Sequence, residues 1–526
     1  MKKKTNQVIF RPMNPRNLAL LAAVYAMLSF SAQAQITVNR NFTVNQDIAD
    51  RGQYVSTYQI AHAGLATISD VNVGLVLSGA SGSSLRLGQM YATVTVGSAS
   101  EGSRTAVLLN RPGVSNTNAF GSSVSALNVT FDDSSANNIY NLTSGAGTYA
   151  ADGRIGVNPY GTRVAYDASQ ITAGLSALNG NWSDNWSLLV ADAQAGNRGR
   201  LDSWSLSITG TAASTGTLDV GAGGTITATG AGTEVIGATV SSGGTGANAI
   251  SLGAASGQEL NLSGGISGSG GFNKTGNGVL RIGNSGDFTG TLQAMGGKVV
   301  VDGTLNSAST LQVGSGATVG GTGTVGALEI ASGGTIGPGN SPGTLNANSA
   351  VWNGGAHYQV EIKSFPQSLQ EGATSSTFLG SAGTGWDYLN VATTLTINAT
   401  ATNKFLIDVT SLLANNTSGD ASGFLPQYDY TMAIATAAGG IIGFDSSYFG
   451  INLDGFTNSR NYAPWMSQSV YAPGSFNVSL SGDNKTLYLN YARAIPEPNS
   501  AALVLVGLGA AWLRRRRRGL VGGLRK

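Results

Sequence analysis

Apolar and polar residues alternate with a period of two along most of this chain, and the alternation changes texture twice. In the first stretch Trp186, Leu188 and Val190 fall on one face of a strand, and Trp204, Leu206 and Ile208 fall on one face of another. The turn-rich residues from Asp192 to Gly199 lie between them, which reads as an antiparallel pair. Two Trp-bearing strands facing inward fill the core of a β-sandwich. From about Thr211 to Ala350 aromatics nearly vanish. A short unit recurs there, Leu218 to Ile226, Leu311 to Val319 and Leu328 to Ile336, each with Gly just ahead of its second apolar pair. Short β-branched strands separated by Gly turns at close spacing predict the stacked coils of a β-solenoid. From Val351 to Tyr491 the aromatics return, with Trp386, Phe405, Tyr428, Tyr430, Phe444, Phe449, Phe456 and Trp465, and Thr486 to Tyr491 alternates cleanly. This predicts a further β domain that widens or caps the solenoid, since an open coil end exposes sheet edges.

Composition agrees with this reading. Of 526 residues 76 are Gly, and only 11% are charged against about 25% in a typical chain, which excludes an α-rich enzyme fold. Cysteine is absent, so stability must come from sheet hydrogen bonding and burial. The fold expected is all-β: an N-terminal jelly-roll sandwich, a solenoid, a C-terminal β domain and a short C-terminal transmembrane helix.

Charge is concentrated at the two ends. Lys2, Lys3, Lys4, Arg11 and Arg16 precede an apolar run from Leu18 to Phe30, and Ala32-Gln33-Ala34 follows, ahead of Gln35. This is the layout of a secretory signal, with Ala32 and Ala34 as the small residues read by signal peptidase before Gln35. At the other end Ile495-Pro496-Glu497-Pro498 precedes an apolar segment, Ala501 to Leu513, and then Arg514, Arg515, Arg516, Arg517 and Arg518. Prolines hold the motif extended, a shape a peptidase can bind as a strand, and the arginines hold the segment's end on the cytoplasmic side of the inner membrane. With these ten basic residues and Arg525 and Lys526 set aside, 17 of the 29 basic residues face all 27 acidic ones. The body is acidic and offers no cluster to neutralise phosphates, so nucleic acid is excluded as a partner.

Three resemblances follow from these residues. The first half resembles the P domain of proprotein convertases. The matching segments are Asp70-Val71-Asn72-Val73, Ala106 to Gly113 and Thr130-Phe131-Asp132-Asp133. The most specific runs from Trp186 through Asp192, Gly196, Gly199 and Leu201 to Trp204 and Leu206. Where that family has Gly-Asp-Leu, this chain has Gly88-Gln89-Met90. The segment Gly268 to Leu280, followed by Asp287-Phe288-Thr289-Gly290, resembles the autotransporter-associated β-strand repeat, as does Gly333 to Leu345. The tail is similar to a PEP-CTERM sorting signal. That resemblance implies a Gram-negative-type bacterium, an exosortase-type membrane peptidase as partner, transient residence in the inner membrane, and a final place at the cell surface or outside the cell. The segments expected are 1–34 signal peptide, 35–210 P-like sandwich, 211–350 solenoid, 351–493 C-terminal β domain or cap, and 494–526 sorting signal.

Catalytic chemistry is sparse. The two histidines, His62 and His357, fall in different segments, and neither is accompanied by a nucleophile elbow. Gly321, Gly323 and Gly326 spell a dinucleotide fingerprint, but a strand, not a helix, is expected after them. The solenoid acids Asp219, Glu234, Glu259, Asp287, Asp302 and Glu329 are not spaced to converge as acid and base on one coil. No catalytic residue and no cofactor is assigned. Asp132, Asp133 and Asp192 offer oxygen ligands for Ca²⁺, as in some P domains, or act as loop caps. The function expected is that of an exported, non-enzymatic surface or matrix protein, structural or adhesive in extracellular polysaccharide. The alternatives are a secreted carbohydrate-active β-helix enzyme with a P-domain accessory, or an autotransporter-like passenger adhesin.

Overall fold

The computed structural model describes residues 35–493 except 60–64, 82, 99–101, 123, 162–165, 182–184, 230–231, 245–247, 367–381, 427 and 459–473. The signal region with Ala32 and Ala34, the motif Pro496 to Pro498, the apolar segment 501–513 and Arg514 to Arg518 lie outside the described residues. Among the described residues no helix is long and apolar enough to cross a membrane.

The protein is all-β. Among the described residues its N-terminal part contains ten strands: β1 Gln35–Asp47, β2 Gln53–Gln59, β3 Leu65–Gly79, β4 Met90–Ser98, β5 Gly102–Asn110, β6 Ala126–Phe131, β7 Ala146–Tyr149, β8 Gly180–Asn181, β9 Asn185–Asp192 and β10 Gly199–Ala212. One antiparallel sheet runs β2–β9–β4–β5. In the other, β10 lies between β1 and β3, and β3 continues to β6. The alternation read from the sequence points inward as expected: Trp186, Leu188, Val190, Trp204, Leu206 and Ile208 are all buried. One expectation fails. The strands carrying Trp186 and Trp204 do not pair, because β9 belongs to one sheet and β10 to the other. Both indoles face the same core from opposite sides, so the turn between them must cross from sheet to sheet.

From residue 217 the chain winds into coils whose strands stack in parallel. One long sheet takes in Thr225–Ala228, Ile250–Gly253, Phe272–Thr275, Thr291–Ala294, Thr310–Val313, Thr324–Ile330 and Thr344–Asn353. A nine-stranded sheet runs from Gly232–Ile236 to Phe449–Gly455. A third, three-stranded sheet covers the first coils only. Each inward position forms a column along the stack. In the long sheet Ile250, Phe272, Leu292, Leu311, Leu328, Ala350, Leu395 and Ile441 are aligned in register from coil to coil. In the nine-stranded sheet Leu260, Leu280, Val299, Val319, Ile336, Tyr358 and Ile407 do the same. Parallel strands buried on their inner face need such apolar columns. The repeat units at 311 and 328 therefore lie one directly over the other. The unit at 218 does not: Leu218 pairs with Val240 in the small sheet, while Ile226 joins the long one. Corners are tight enough to demand glycine. A Cβ on Gly290 would run into the carbonyl oxygen of Gly270 in the coil before.

The two parts share a strand. β1 pairs antiparallel with β10 on one side, and its residues Ile36 to Asn39 pair antiparallel with Thr225–Ala228, the first coil strand of the long sheet, on the other. Tyr58 Oη donates 2.6 Å to the Val220 carbonyl across the same junction. At the far end Thr486–Ala492 lies antiparallel to Tyr430–Ala437, and Ser475–Leu480 pairs with it as a hairpin. An aromatic cluster of Phe365, Phe424, Tyr430, Phe456, Phe476 and Tyr491 fills this end.

Candidate functional site

The concave surface of the N-terminal part is built by the loops around β6 and β7. These two short strands run parallel, and Asn138 fixes the connection between them: its Nδ2 donates to the Ala151 carbonyl at 2.7 Å and its Oδ1 accepts from Tyr140 N at 2.9 Å. On one side of Asn138 lies a cavity of about 390 Å³ lined by Asn137, Asn141, Thr143 and Thr148. On the other lies one of about 590 Å³ lined by Ile171, Thr172, Ser176 and Asp133. The Asp133 carboxylate is engaged by two backbone amides, Leu175 N at 3.2 Å and Ser176 N at 2.7 Å. The smaller cavity is therefore mostly amide and hydroxyl, the chemistry that suits a neutral, hydroxyl-rich ligand, whereas the larger one is lined in good part by Ala150, Ala151, Ile171 and Ala177. Two exposed rings stand on neighbouring loops. Phe120 is 58% exposed and Tyr160 is 56% exposed, and both loops gather at Arg111, whose Nε donates to the Gly88 carbonyl and whose Nη1 reaches the Pro159 carbonyl. The Arg86 guanidinium lies 5.0 Å from the Phe120 ring centre.

The three aspartates expected as a calcium set do not meet. Asp132 caps its own turn, accepting from Ser134 N at 2.7 Å. With Asp133 it faces Asp70, whose pKa is raised first by burial and then by these two charges. Asp192 sits apart, fully buried at the end of β9, near Asp50. The sequence places residues 132 and 133 together and says nothing of how strand ends distribute, which is why the set looked plausible. Among the described residues no three His, Asp or Glu side chains converge as a metal-binding group.

Sequence reasoning missed a buried ion pair. Asp152 and Arg154 are almost wholly buried; Arg154 Nε lies 2.7 Å from Asp152 Oδ1, and its Nη2 also donates to the Asn110 carbonyl at 3.1 Å. The guanidinium lies 4.6 Å from the Tyr140 ring and 5.0 Å from the Tyr166 ring. Burial raises the Asp152 pKa while Arg154 pulls it back. The signal available was the Asp-Gly-Arg spacing alone, which any exposed turn also shows.

His62 lies outside the described residues. His357 lies on the outer face of the nine-stranded sheet, its Nδ1 2.7 Å from Asp408 Oδ2, while Asn452 donates to the other Asp408 oxygen at 3.1 Å. The residues come from three successive coils, so this polar ladder was invisible in local spacing. Glu259 and Asp302 both engage Arg281, which lies on the coil between them. Gly321, Gly323 and Gly326 run into the strand Thr324–Ile330, with no helix N-terminus for a phosphate. No protein-family model matches the chain, and no curated protein matches it either.

Proposed function

We propose that this chain is an exported, non-enzymatic surface or matrix protein, sorted through its C-terminal signal and holding neutral extracellular polysaccharide with its N-terminal part. In this reading that part is a jelly-roll sandwich of the P-domain kind and acts as the binding head. The solenoid is the spacer that carries it away from the membrane. The observation that carries the reading is the order of Pro496-Glu497-Pro498, an apolar segment and five arginines at one end of a chain that opens with a secretory leader. Thirteen apolar residues make only about 20 Å of helix, so the precursor rests in the inner membrane briefly before an exosortase-type peptidase releases it. Support for a polysaccharide ligand comes from the amide- and hydroxyl-lined cavity formed by Asn137, Asn138, Asn141, Thr143 and Thr148 and from the exposed Phe120 and Tyr160 rings, which suit stacking on the apolar faces of sugars.

One preparation tests both halves. Extracellular protein from the native host should have an intact mass that begins at Gln35 and lacks Ala501 to Lys526. The same material should be retarded in gels that contain neutral polysaccharide. A mature chain still carrying Arg514 to Arg518 overturns the sorting reading, and unretarded migration overturns the polysaccharide reading.

A further inference from the structure

The outer face of the long sheet is dressed differently from the rest of the solenoid. On it Asn39 of β1, Thr225, Ser251, Asn273, Gln293 and Gln312 stand in one row, each paired in register with the next. A second row beside it holds Thr37, Thr227, Gly253 and Thr275. The residues between the rows point the other way: Val38, Ile226, Leu252 and Lys274 are buried. The first row crosses from the N-terminal part to the solenoid, because β1 belongs to both, and Ser207 of β10 continues it beyond Asn39. Every charged residue between Thr225 and Val313 lies elsewhere. Glu259, Arg281 and Lys298 are on the nine-stranded sheet, Glu234 and Lys274 are buried, and Asp287 and Asp302 lie on connections. Among the described residues the side chains of Asn39, Thr225, Ser251, Asn273 and Gln293 make no hydrogen bond within the protein. Gln312 is engaged at the row's far end, where its Nε2 donates to Glu329 at 3.2 Å.

An exposed sheet face ordinarily carries lysine and glutamate, which keep it hydrated and stop it from pairing. Here the coils put their exposed charges on the other sheet and on connections, and this face stays neutral. What remains is a grid of hydroxyls and amides, able both to donate and to accept. Its spacing is about 4.8 Å from coil to coil and about 6.6 Å between side chains on one face of a strand. A nucleic acid finds no cation there, and a protein partner finds no aromatic or arginine anchor. The charge and the periodicity call for a partner that is neutral, covered in hydroxyls and itself repetitive. We propose that this face binds the surface of an ordered neutral polysaccharide, in which extended glycan chains are packed side by side. Each contact is weak alone, and the repeat lets many act together. The partner class rests on the proposed function, but the site is separate: the cavity at Asn138 takes one segment of soluble chain, whereas the grid needs a solid surface.

The test uses the full mature chain, mixed with microcrystalline cellulose or with chitin powder and then sedimented. The parent should co-sediment with at least one of the two solids. A lysine in the first row sets an ammonium against a neutral surface, so Ser251→Lys and Gln293→Lys should each weaken binding at least about tenfold. Thr233→Lys, exposed on the nine-stranded sheet, should bind as the parent does. Should the row variants fail to fold, Gln312→Lys provides the reading, because Glu329 beside it accommodates the new charge. Gel retardation by soluble polymer reports on the cavity instead. A parent that co-sediments but migrates freely in such gels keeps the grid and loses the cavity reading. A parent that sediments with neither solid overturns the proposal, even where gel retardation persists. So do folded row variants that bind as the parent does. Thermal hysteresis in freezing solution without co-sedimentation would assign the grid to ice, and parent dimers that Gln293→Lys dissolves would assign it to a second copy of the chain; either result overturns the proposal.

Discussion

The N-terminal part and the solenoid are both all-β, yet they fill their interiors by opposite rules. In the former a few very large side chains do most of the filling. Trp204 stacks on Phe42 with ring centres 4.3 Å apart, donates from its indole nitrogen to Ser56 Oγ at 3.0 Å, and faces a core that also holds Trp186 and Phe131. In the coils from Leu218 to Ile336 the only large buried rings among the described residues are Phe272 and Phe288, and Trp352, Tyr358 and Phe405 enter farther along the stack. Columns of Leu, Ile, Val and Ala repeat from coil to coil, and each side chain meets mainly its counterparts above and below. Both parts also bury charged groups: the N-terminal part buries the ion pair Asp152–Arg154 and, apart from it, Asp192, while the solenoid buries Glu234, Asp387 and Lys274, whose ammonium donates to the carbonyls of Thr275, Gly276 and Gly296 at 3.0, 2.7 and 3.2 Å. An antiparallel core is thus specified by a few long-range meetings, and a solenoid by repetition.

Substitutions that separate the two rules should differ in reach as well as size. Trp204→Ala carries the largest effect, a loss of about 4 kcal/mol in chemical denaturation. Because β1 links β10 to the first coil strand, amide exchange should accelerate in both the ten N-terminal strands and Thr225–Ala228. Protection there unchanged from the parent would mean that the shared strand does not couple the parts. Gly290→Ala should cost about 3 kcal/mol, since the Gly270 carbonyl must move aside. Its exchange signature should stay within the strands Phe272–Thr275 to Thr310–Val313, and loss of protection at Trp204 would contradict the modular picture.

The smallest effect depends on pH. Burial lowers the Lys274 pKa from 10.5 to about 8. Between those two values the unfolded chain binds the proton that the folded chain has released, so stability should rise with pH across that window, by on the order of 2 kcal/mol, and level off above it. Lys274→Met should remove this increment from the difference between parent and variant, while leaving three carbonyls without their donor at neutral pH. Parallel stability curves for the two proteins from pH 8 to 10.5 would show that the ammonium is not desolvated in the stack.

Much of this was readable in the sequence where local alternation and burial coincide. Trp186, Trp204 and the closing strand Thr486–Ala492 have their inward residues where a period of two puts them. The units at 311 and 328 repeat in the sequence because their side chains share columns. Lys274 shares parity with Phe272 and is buried on the same face. Other features depend on how far the chain travels before returning, which local spacing does not encode. The unit beginning at Leu218 has the same alternation as its later copies but meets the third sheet, because nothing in its spelling marks which side of the coil it occupies. Asp192 pairs with Met90 from strands far apart in the chain, and His357 and Asp408 meet because their strands stack on successive coils. Chemistry of that kind becomes visible only when register is known.

The column architecture has a mechanical side. Sheet hydrogen bonds in the solenoid point along its long axis, so a pull on that axis loads every bond between two neighbouring coils together rather than one after another. The interface that fails first releases a whole coil as slack. With Phe272 and Leu292 in register, that coil is twenty residues long, which makes about 65 Å of extended chain, against the roughly 5 Å the coil occupied in the stack. Held under load at both ends, such a stack would lengthen in discrete steps and absorb a sudden pull while the coils beyond the break remain folded.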